Sequence, residues 1–546
     1  MFKRFLAVMV CAVVCTAQDY PIFPKPSYFK TYFKSPVTQV ELQNPVRLED
    51  FVVDGKLELS LKSYLELVLR NNSDITIQRL SVEVNRNAIT RAFGPFDPIA
   101  TARFNATRVL SQSTNATQGA QTLNSLTQPL NFGVTQLLPT GTQVTATYSN
   151  TKQSSNSTFA TFNPSYGSNL DLNFSQPLLR GRGMFYTRVP LMIARSRLRG
   201  AEYTFEDQLN QLVSTAEQAY WNVVGARESA RVADEGLKLA DTALKRAQRE
   251  LELGASSPLD IFQPRQQFAQ AQLQVTQSRY ALALTEDQLR RQMGADLDPK
   301  YRNMPIVLTE QVTSPELGQL DREKLVETAL LRRPDLRATR QNLDVDDLNI
   351  RQTNNALRPN LNLTGRYGSS GTGGTQYIRS NVFGSDAPPV VTVIPGGITD
   401  ALGQLFGFGQ PTYGFGLSLT LPMRNHAAAA DYADALVNKK IDALRVRTSE
   451  QNARLQVLTA ITSVENSRAS VELAKTARDL AKERADAEQK KYELGASLLF
   501  FVLQALTDLT TAEGTLVRET INYRLNQLAL LRQTGTLLEE RGIAVQ

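Results

Sequence analysis

The chain has 546 residues, 42% of them hydrophobic and 21% charged, with a formal net charge of +7. This composition excludes wholesale disorder, and the interleaving of Lys and Arg with Asp and Glu gives nucleic-acid binding no support. No apolar run approaches the about eighteen residues of a transmembrane helix, so a membrane-spanning form of this chain must use strands.

Residues 1–17 read as a secretory signal, with Lys3 and Arg4 ahead of an apolar run from Phe5 to Val14 and small residues at Cys15-Thr16-Ala17. Cleavage after Ala17 removes both cysteines, Cys11 and Cys15, and lowers the charge to +5 (+7 less Lys3 and Arg4). Lipidation at Cys15 is the rival reading, disfavoured because Val14 is larger than the residue that normally precedes such a site. Residues 18–56 form an N-terminal extended segment.

A first unit covers 57–293. Helical spacing over 57–93 gives way at Pro98 to strict alternation over 100–106, a strand. A return strand follows at 170–175. Between them lies a Ser, Thr, Asn and Gln-rich stretch, 111–165, read as a long external loop. An extra hairpin, 132–138 and 143–148 around Pro139-Thr140-Gly141, is placed in that loop region. Next comes a helical run over 186–253 of about 65 residues, roughly 100 Å at 1.5 Å per residue. Leu209, Leu212, Val213, Ala216, Ala219, Tyr220 and Val223 mark its coiled-coil seam. The run breaks at Leu253-Gly254-Ala255-Ser256, and a helix returns.

After a linker or equatorial segment, 294–320, a second unit over 321–538 repeats the order: helix over 322–356, strand 361–367, polar loop 368–412, strand 415–420, helix 426–494. It then breaks at Leu494-Gly495-Ala496-Ser497 and returns, leaving a tail, 539–546. Gly254 and Gly495 are 241 apart, as are Gly294 and Gly535. Asp74 and Asp335, and Pro98 and Pro359, are 261 apart. The first unit is therefore 20 residues longer (261 − 241), and 111–165 is the place for the excess. The chain is a tandem duplication. Two hairpins cannot close a barrel or hide their edges, so several chains must contribute.

His426, the one histidine, reads as a helix-entry residue, and with no cysteine beyond Cys15 there is no His or Cys network for catalysis or metal binding. Gly371-Thr372-Gly373-Gly374 lacks the Lys and following helix of a phosphate loop and reads as a flexible surface loop.

The doubled order of elements resembles the TolC family of outer-membrane efflux proteins, from about Leu57 to Leu538. Particular matches are Arg333-Pro334-Asp335-Leu336 after Ala329-Leu330, the paired glycine apices, and Gln176-Pro177-Leu178-Leu179-Arg180-Gly181. The resemblance implies an α+β membrane protein: a homotrimer whose chains each give four strands to a 12-stranded β-barrel in outer-membrane lipid, continued by a long α-helical coiled-coil periplasmic barrel. It also implies a passive exit duct without cofactor, metal or enzymatic activity. The duct passes small molecules or polypeptides from an inner-membrane pump of RND, ABC or MFS type through a periplasmic adaptor protein.

The resemblance places adaptor contact at the hairpin tips, Gly254, Ala255, Ser256, Ser257, Pro258 and Leu259 in one and Gly495, Ala496, Ser497, Leu498 and Leu499 in the other. Ser257-Pro258 carries N-cap and N1 chemistry for the returning helix. The family's closed state implies a link between Asp260 and Tyr492, while Ser497 stands where the best-known members have an arginine. Acidic constriction positions of the family are Phe501 and Gln504 here. With Phe500 they form an aromatic-apolar constriction that closes by packing or dewetting rather than by charge. The alternative from another class is a non-conducting periplasmic coiled-coil or adaptor-like scaffold.

Overall fold

The computed structural model describes residues 48–114, 119–254, 257–296, 298–310, 318, 320–380 and 389–544. The signal, its cleavage site, the rival lipidation at Cys15, most of the extended segment and the tip residues Ala255 and Ser256 lie outside the described residues.

In chain order the first unit comprises β1 (Val52–Val53), β2 (Lys56–Leu59), α1 (Leu61–Asn71), α2 (Ser73–Phe93), β3 (Ile99–Phe104), β4 (Thr107–Gln112), β5 (Thr122–Leu137), β6 (Gln143–Ser155), β7 (Phe162–Pro177), α3 (Met184–Glu252) and α4 (Phe262–Gln292). A connection holds α5 (Pro299–Arg302) and β8 (Ile306–Leu308). The second unit comprises α6 (Arg322–Arg332), α7 (Pro334–Ala356), β9 (Asn360–Arg379), β10 (Val390–Ile394), α8 (Ile398–Phe406), β11 (Pro411–Thr420), α9 (His426–Glu493), α10 (Leu499–Thr534) and α11 (Leu537–Glu540). Both offsets read from the sequence recur in the elements. The pairs α1 and α6, α2 and α7, β3 and β9 start 261 residues apart (322 − 61, 334 − 73, 360 − 99), and α3 and α9 end 241 apart (493 − 252).

The helices stop where glycine allows them to. Gly254, Gly294, Gly495 and Gly535 all take φ between +71° and +73°, the left-handed conformation that closes a helix C-terminus without a Cβ penalty. Beyond three of them the next N–H reaches back to a carbonyl five residues earlier: Ala295 to Arg290, Ala496 to Lys491, Thr536 to Leu531.

One sheet holds β3 to β7 and β9 to β11 as an antiparallel meander. β3 and β4 line one edge of β5, and β10 and β11 line one edge of β9, so six strand positions lie side by side. Four were expected. The hairpin placed in the external loop region is instead the pair β5–β6 at the centre of the first unit's sheet, paired from Ser125 with Ser155 to Leu137 with Gln143. Likewise most of 111–165 is strand rather than loop, and 368–412 holds the end of β9, β10, α8 and the start of β11. Pro129 of β5 explains why its neighbour is split: lacking an N–H, it accepts from Asn105 but returns nothing, and β3 ends at Phe104.

The Gly371–Gly374 stretch, expected as a surface loop, lies within β9. A Cβ at Gly371 would meet the Ala401 carbonyl oxygen at 2.0 Å and one at Gly373 the Gly397 carbonyl oxygen at 2.2 Å, so these glycines let α8 lie directly on the strand. Gln404 of α8 donates to the carbonyl of Thr372 (3.0 Å) and accepts from its N–H (3.1 Å), bonding strand backbone in the gap between β10 and β11.

The main core lies where the long helices cross a second, small sheet of order β1-β2-β8. Leu57, Leu59, Tyr64, Tyr220, Leu289 and Met293 are buried there with most of the expected α3 seam; Leu212 is partly buried. The Tyr220 hydroxyl donates to the Leu59 carbonyl (3.2 Å), and the Tyr64 hydroxyl to the side chain of Gln292 (2.9 Å). A second core packs Val326 and Ala329 of α6 on Val457, Ile461 and Val464 of α9 and Tyr523 and Leu530 of α10. The Arg333-Pro334-Asp335 motif has a structural job here. Arg333 pairs with Asp335 (2.8 and 3.0 Å) and donates to Gln456 and Gln533, tying the start of α7 to α9 and α10.

Candidate periplasmic gate and channel wall

The two hairpin tips meet at the ends of α3 and α9. Glu250 stands four residues before Gly254 and Tyr492 three before Gly495, so both occupy the last helical turn. The Tyr492 hydroxyl donates to both carboxylate oxygens of Glu250 (2.8 and 2.7 Å). Arg246, one turn below Glu250, pairs with it at 3.2 Å and lies over the Tyr492 ring, 4.5 Å from its centroid. Burial, then the bond to Glu250, pushes the Tyr492 hydroxyl up to about 12. It therefore remains a donor over the physiological range.

The expected pairing of Asp260 with Tyr492 is not made within the chain. Asp260 takes the Ser257 N–H at 2.9 Å and closes its own turn, while Ser257 accepts from the Leu259 N–H at 3.3 Å. The returning helix α4 starts only at Phe262, so Ser257 and Pro258 shape a preceding turn rather than the N-cap and N1 positions. At the second tip, Ser497 donates to Glu488 (2.8 Å), which also pairs with Lys491 (2.7 Å). These bonds, that of Lys491 first, hold the Glu488 carboxyl below its usual range. Glu488 thus occupies Ser497 within its own hairpin.

Phe500 and Phe501 stack edge to face at 5.4 Å and remain half exposed. Gln504 is exposed on the same side as Phe501, one turn on, and donates to Asp508 at 3.1 Å. Asp508 pairs in turn with Arg484 of α9 at 2.9 Å. Each tip also carries bare apolar side chains: Leu253, Leu259 and Phe262 at one, Leu494 and Leu498 at the other, with Leu253 and Leu494 more than four-fifths exposed.

Glu250, Arg246 and Asp508 were not singled out from the sequence. The signal for Glu250 is its level: it stands in the last turn before its apical glycine, as Tyr492 does before the other. The equivalent position in the second copy is Lys491 (250 + 241), so the copies differ in charge where they touch.

At the other end, the pairing register sorts the sheet into two faces. One row across all six strand positions reads Ala100, Val134, Ala146, Leu172, Tyr367, Tyr413; the next reads Thr101, Gly133, Thr147, Asp171, Gly368, Thr412. One face is apolar and the other polar, as a lipid-facing wall around an aqueous lumen requires. Arg366 bonds Asp171 on the polar face at 2.7 and 2.9 Å. Among the described residues no helix is long and apolar enough to cross a membrane.

A family model described as outer membrane efflux protein matches residues 134–295 and 325–536, one segment in each unit. No curated protein matches in sequence. Among solved structures, the chain is similar to CusC, at 17% identity and a TM-score of 0.60, covering 95% of this chain and 100% of that one. It is similar to the CmeC outer membrane channel of Campylobacter jejuni at 16% identity and 0.61, covering 92% and 94%. It is also similar to the MtrE outer membrane channel of Neisseria gonorrhoeae, in its open state, at 17% and 0.57, covering 87% and 89%. At these identities the likeness shows the fold, and the family match over more than half of the chain carries the assignment. The chain belongs to the outer membrane efflux protein family: a TolC-like, non-enzymatic outer-membrane channel with a periplasmic helical extension, built from two copies of one unit.

Proposed function

We propose that three copies assemble into the exit duct of a tripartite efflux or type I secretion system, taking small molecules or polypeptides from an inner-membrane pump through a periplasmic adaptor. The observation that carries this reading is the contact of Tyr492 with Glu250 and Arg246 at the tips, which ties hairpin to hairpin at the end of helices about 100 Å long by their 69 and 68 residues. A polar latch placed where two hairpins would spread is a gate.

The tip surface supplies the adaptor contact. Gly254, Ser257, Pro258, Leu259, Gly495, Ala496, Ser497, Leu498 and Leu499 lie on it, and its exposed leucines are the anchors that a partner can cover. Ala255 and Ser256 complete the first tip in sequence. The double variant Leu253→Asp, Leu494→Asp is expected to remain trimeric in the outer membrane and to lose at least ten-fold in adaptor binding, measured by titration of purified components. Unchanged affinity would remove the tips from the interface.

Phe500 and Phe501 form the constriction, and Gln504 extends it by one turn. Asp508 follows on the same side, but its charge is offset by Arg484. Phe501→Asp is expected to place a ring of three carboxylates in the aperture and to make single-channel currents sensitive to divalent cations. Block no stronger than in the parent would show that residue 501 does not line the pore.

A further inference from the structure

We infer that the wall of this channel contains eighteen strands, six from each chain, rather than twelve; the count rests on the trimeric reading above. Three features of the sheet lead there.

First, β5 and β6 are structural members of the sheet. β6 pairs with β5 on one side and with β7 on the other, from Gln143 with Ser175 to Gln153 with Ser165. Removing them would leave β3 and β7 without the partners they have.

Second, the inserted strands keep the phase of the wall. Val134 and Ala146 continue the apolar row from Ala100 to Leu172, and Gly133 and Thr147 continue the polar row from Thr101 to Asp171. A one-residue slip would have put every side chain of the hairpin on the wrong face. A hairpin folded over the barrel mouth has no reason to match lipid on one side and water on the other.

Third, the two edges of the sheet suit each other. β3 and β4 lead into the meander and β11 leads out of it, so after an even number of strand positions they run in opposite directions. β11 of one copy can therefore pair antiparallel with β3 and β4 of the next. Both edges carry exposed apolar side chains, Phe104 and Leu110 on one and Phe415 and Leu417 on the other. Open edges of this kind require a partner, and a second copy meets their direction, length and polarity.

The consequence is bore. At a strand spacing of about 4.8 Å and a tilt of about 40°, eighteen strands give a wall about 36 Å across, against about 24 Å for twelve. Barrels of that strand number enclose an aqueous channel. Size selection then falls wholly on the periplasmic aperture.

The test uses full-length protein in lipid, since the described residues contain no cysteine. Thr147→Cys is expected to react with a water-soluble maleimide through the lumen, and Tyr148→Cys only with a lipid-soluble one. End-on electron microscopy is expected to show a trimer with a wall about 36 Å across, narrowing to about 24 Å when residues 120–157 are deleted. A trimer with a wall of about 24 Å in the parent, or equal aqueous labelling at 147 and 148, overturns the inference. A stoichiometry other than three overturns the trimeric reading, and the count of eighteen falls with it; the labelling pattern still decides separately whether the hairpin is in the wall.

Discussion

Arg541→Ala will destabilise the helical barrel by about 3–5 kcal/mol, the range measured when one partner of a buried ion pair is removed. Glu217 of α3 is 2% exposed. Its carboxylate is gripped by the Arg541 guanidinium through two bonds, Nη2 to Oε1 at 2.6 Å and Nε to Oε2 at 2.8 Å, and accepts a third from the Trp221 indole at 3.2 Å. Without Arg541 a carboxylate remains in the core with one neutral donor. Arg524 does not replace it in full: it lies 4.9 Å from the centroid of Trp221, and burial already disfavours its charged form. Arg541 follows α11 directly, so the pair also holds the C-terminal end against α3. Chemical denaturation followed by circular dichroism measures the loss, and a change below about 1 kcal/mol would mean that water reaches Glu217. Glu217→Leu combined with Arg541→Leu should recover most of the stability, because it leaves no unpaired charge.

Tyr492→Phe combined with Glu250→Gln will open the duct. The parent bond joins a hydroxyl to a carboxylate, worth about 1.5–3 kcal/mol when broken, which is roughly a ten- to hundred-fold shift in a closed–open equilibrium. Single-channel recording in planar bilayers should show higher mean conductance and longer open dwell times, with Tyr492→Phe alone giving a smaller effect because Arg246 still lies over the aromatic ring of the other hairpin. Conductance equal to the parent would dismiss the latch. The pH dependence follows from the raised tyrosine pKa. Folded Tyr492 sits at about 12 against 10.0 when free, so its contribution is fully present below 10 and is lost as pH rises through about 12. Between neutral pH and 10, this hydroxyl does not open the gate.

The scaffold alternative ends with the family assignment and with the sheet itself, whose polar and apolar faces alternate over six strand positions. Much of that was readable in advance. Helix ends were legible because four glycines recur in register and a left-handed C-terminus excludes most other residues. The strand starts after Pro98 and Pro359 were legible because period changes there from 3.6 to 2. The sheet strands β5 and β6 read as loop region in the sequence for a physical reason. A barrel strand needs an apolar residue only at every second position, and its lumen side is Ser, Thr and Asn, the composition of a loop. Gln128, Asn150 and Lys152 interrupt even the apolar side. The Gly371–Gly374 stretch was misread because its glycines answer to α8, a neighbour that only appears once the chain has folded back.

At the tips, the sequence placed Tyr492, Phe500, Phe501 and Gln504 near the second apex, since position along a helix fixes distance from its end. It could not select Glu250 over Asp260 as the tyrosine's partner. Both are carboxylates near Gly254; Asp260 is taken by its own Ser257, a local bond, whereas Glu250 faces the other hairpin through the rotation of α3 about its axis.

The sequence alone thus determined the duplication, the element types and their order, because these follow from local periodicity and from residues tied to one backbone conformation. The tertiary structure decided how many strands stand side by side in the sheet and which charges meet between the hairpin tips, because pairing between strands and contact between helices depend on register, which no single segment carries.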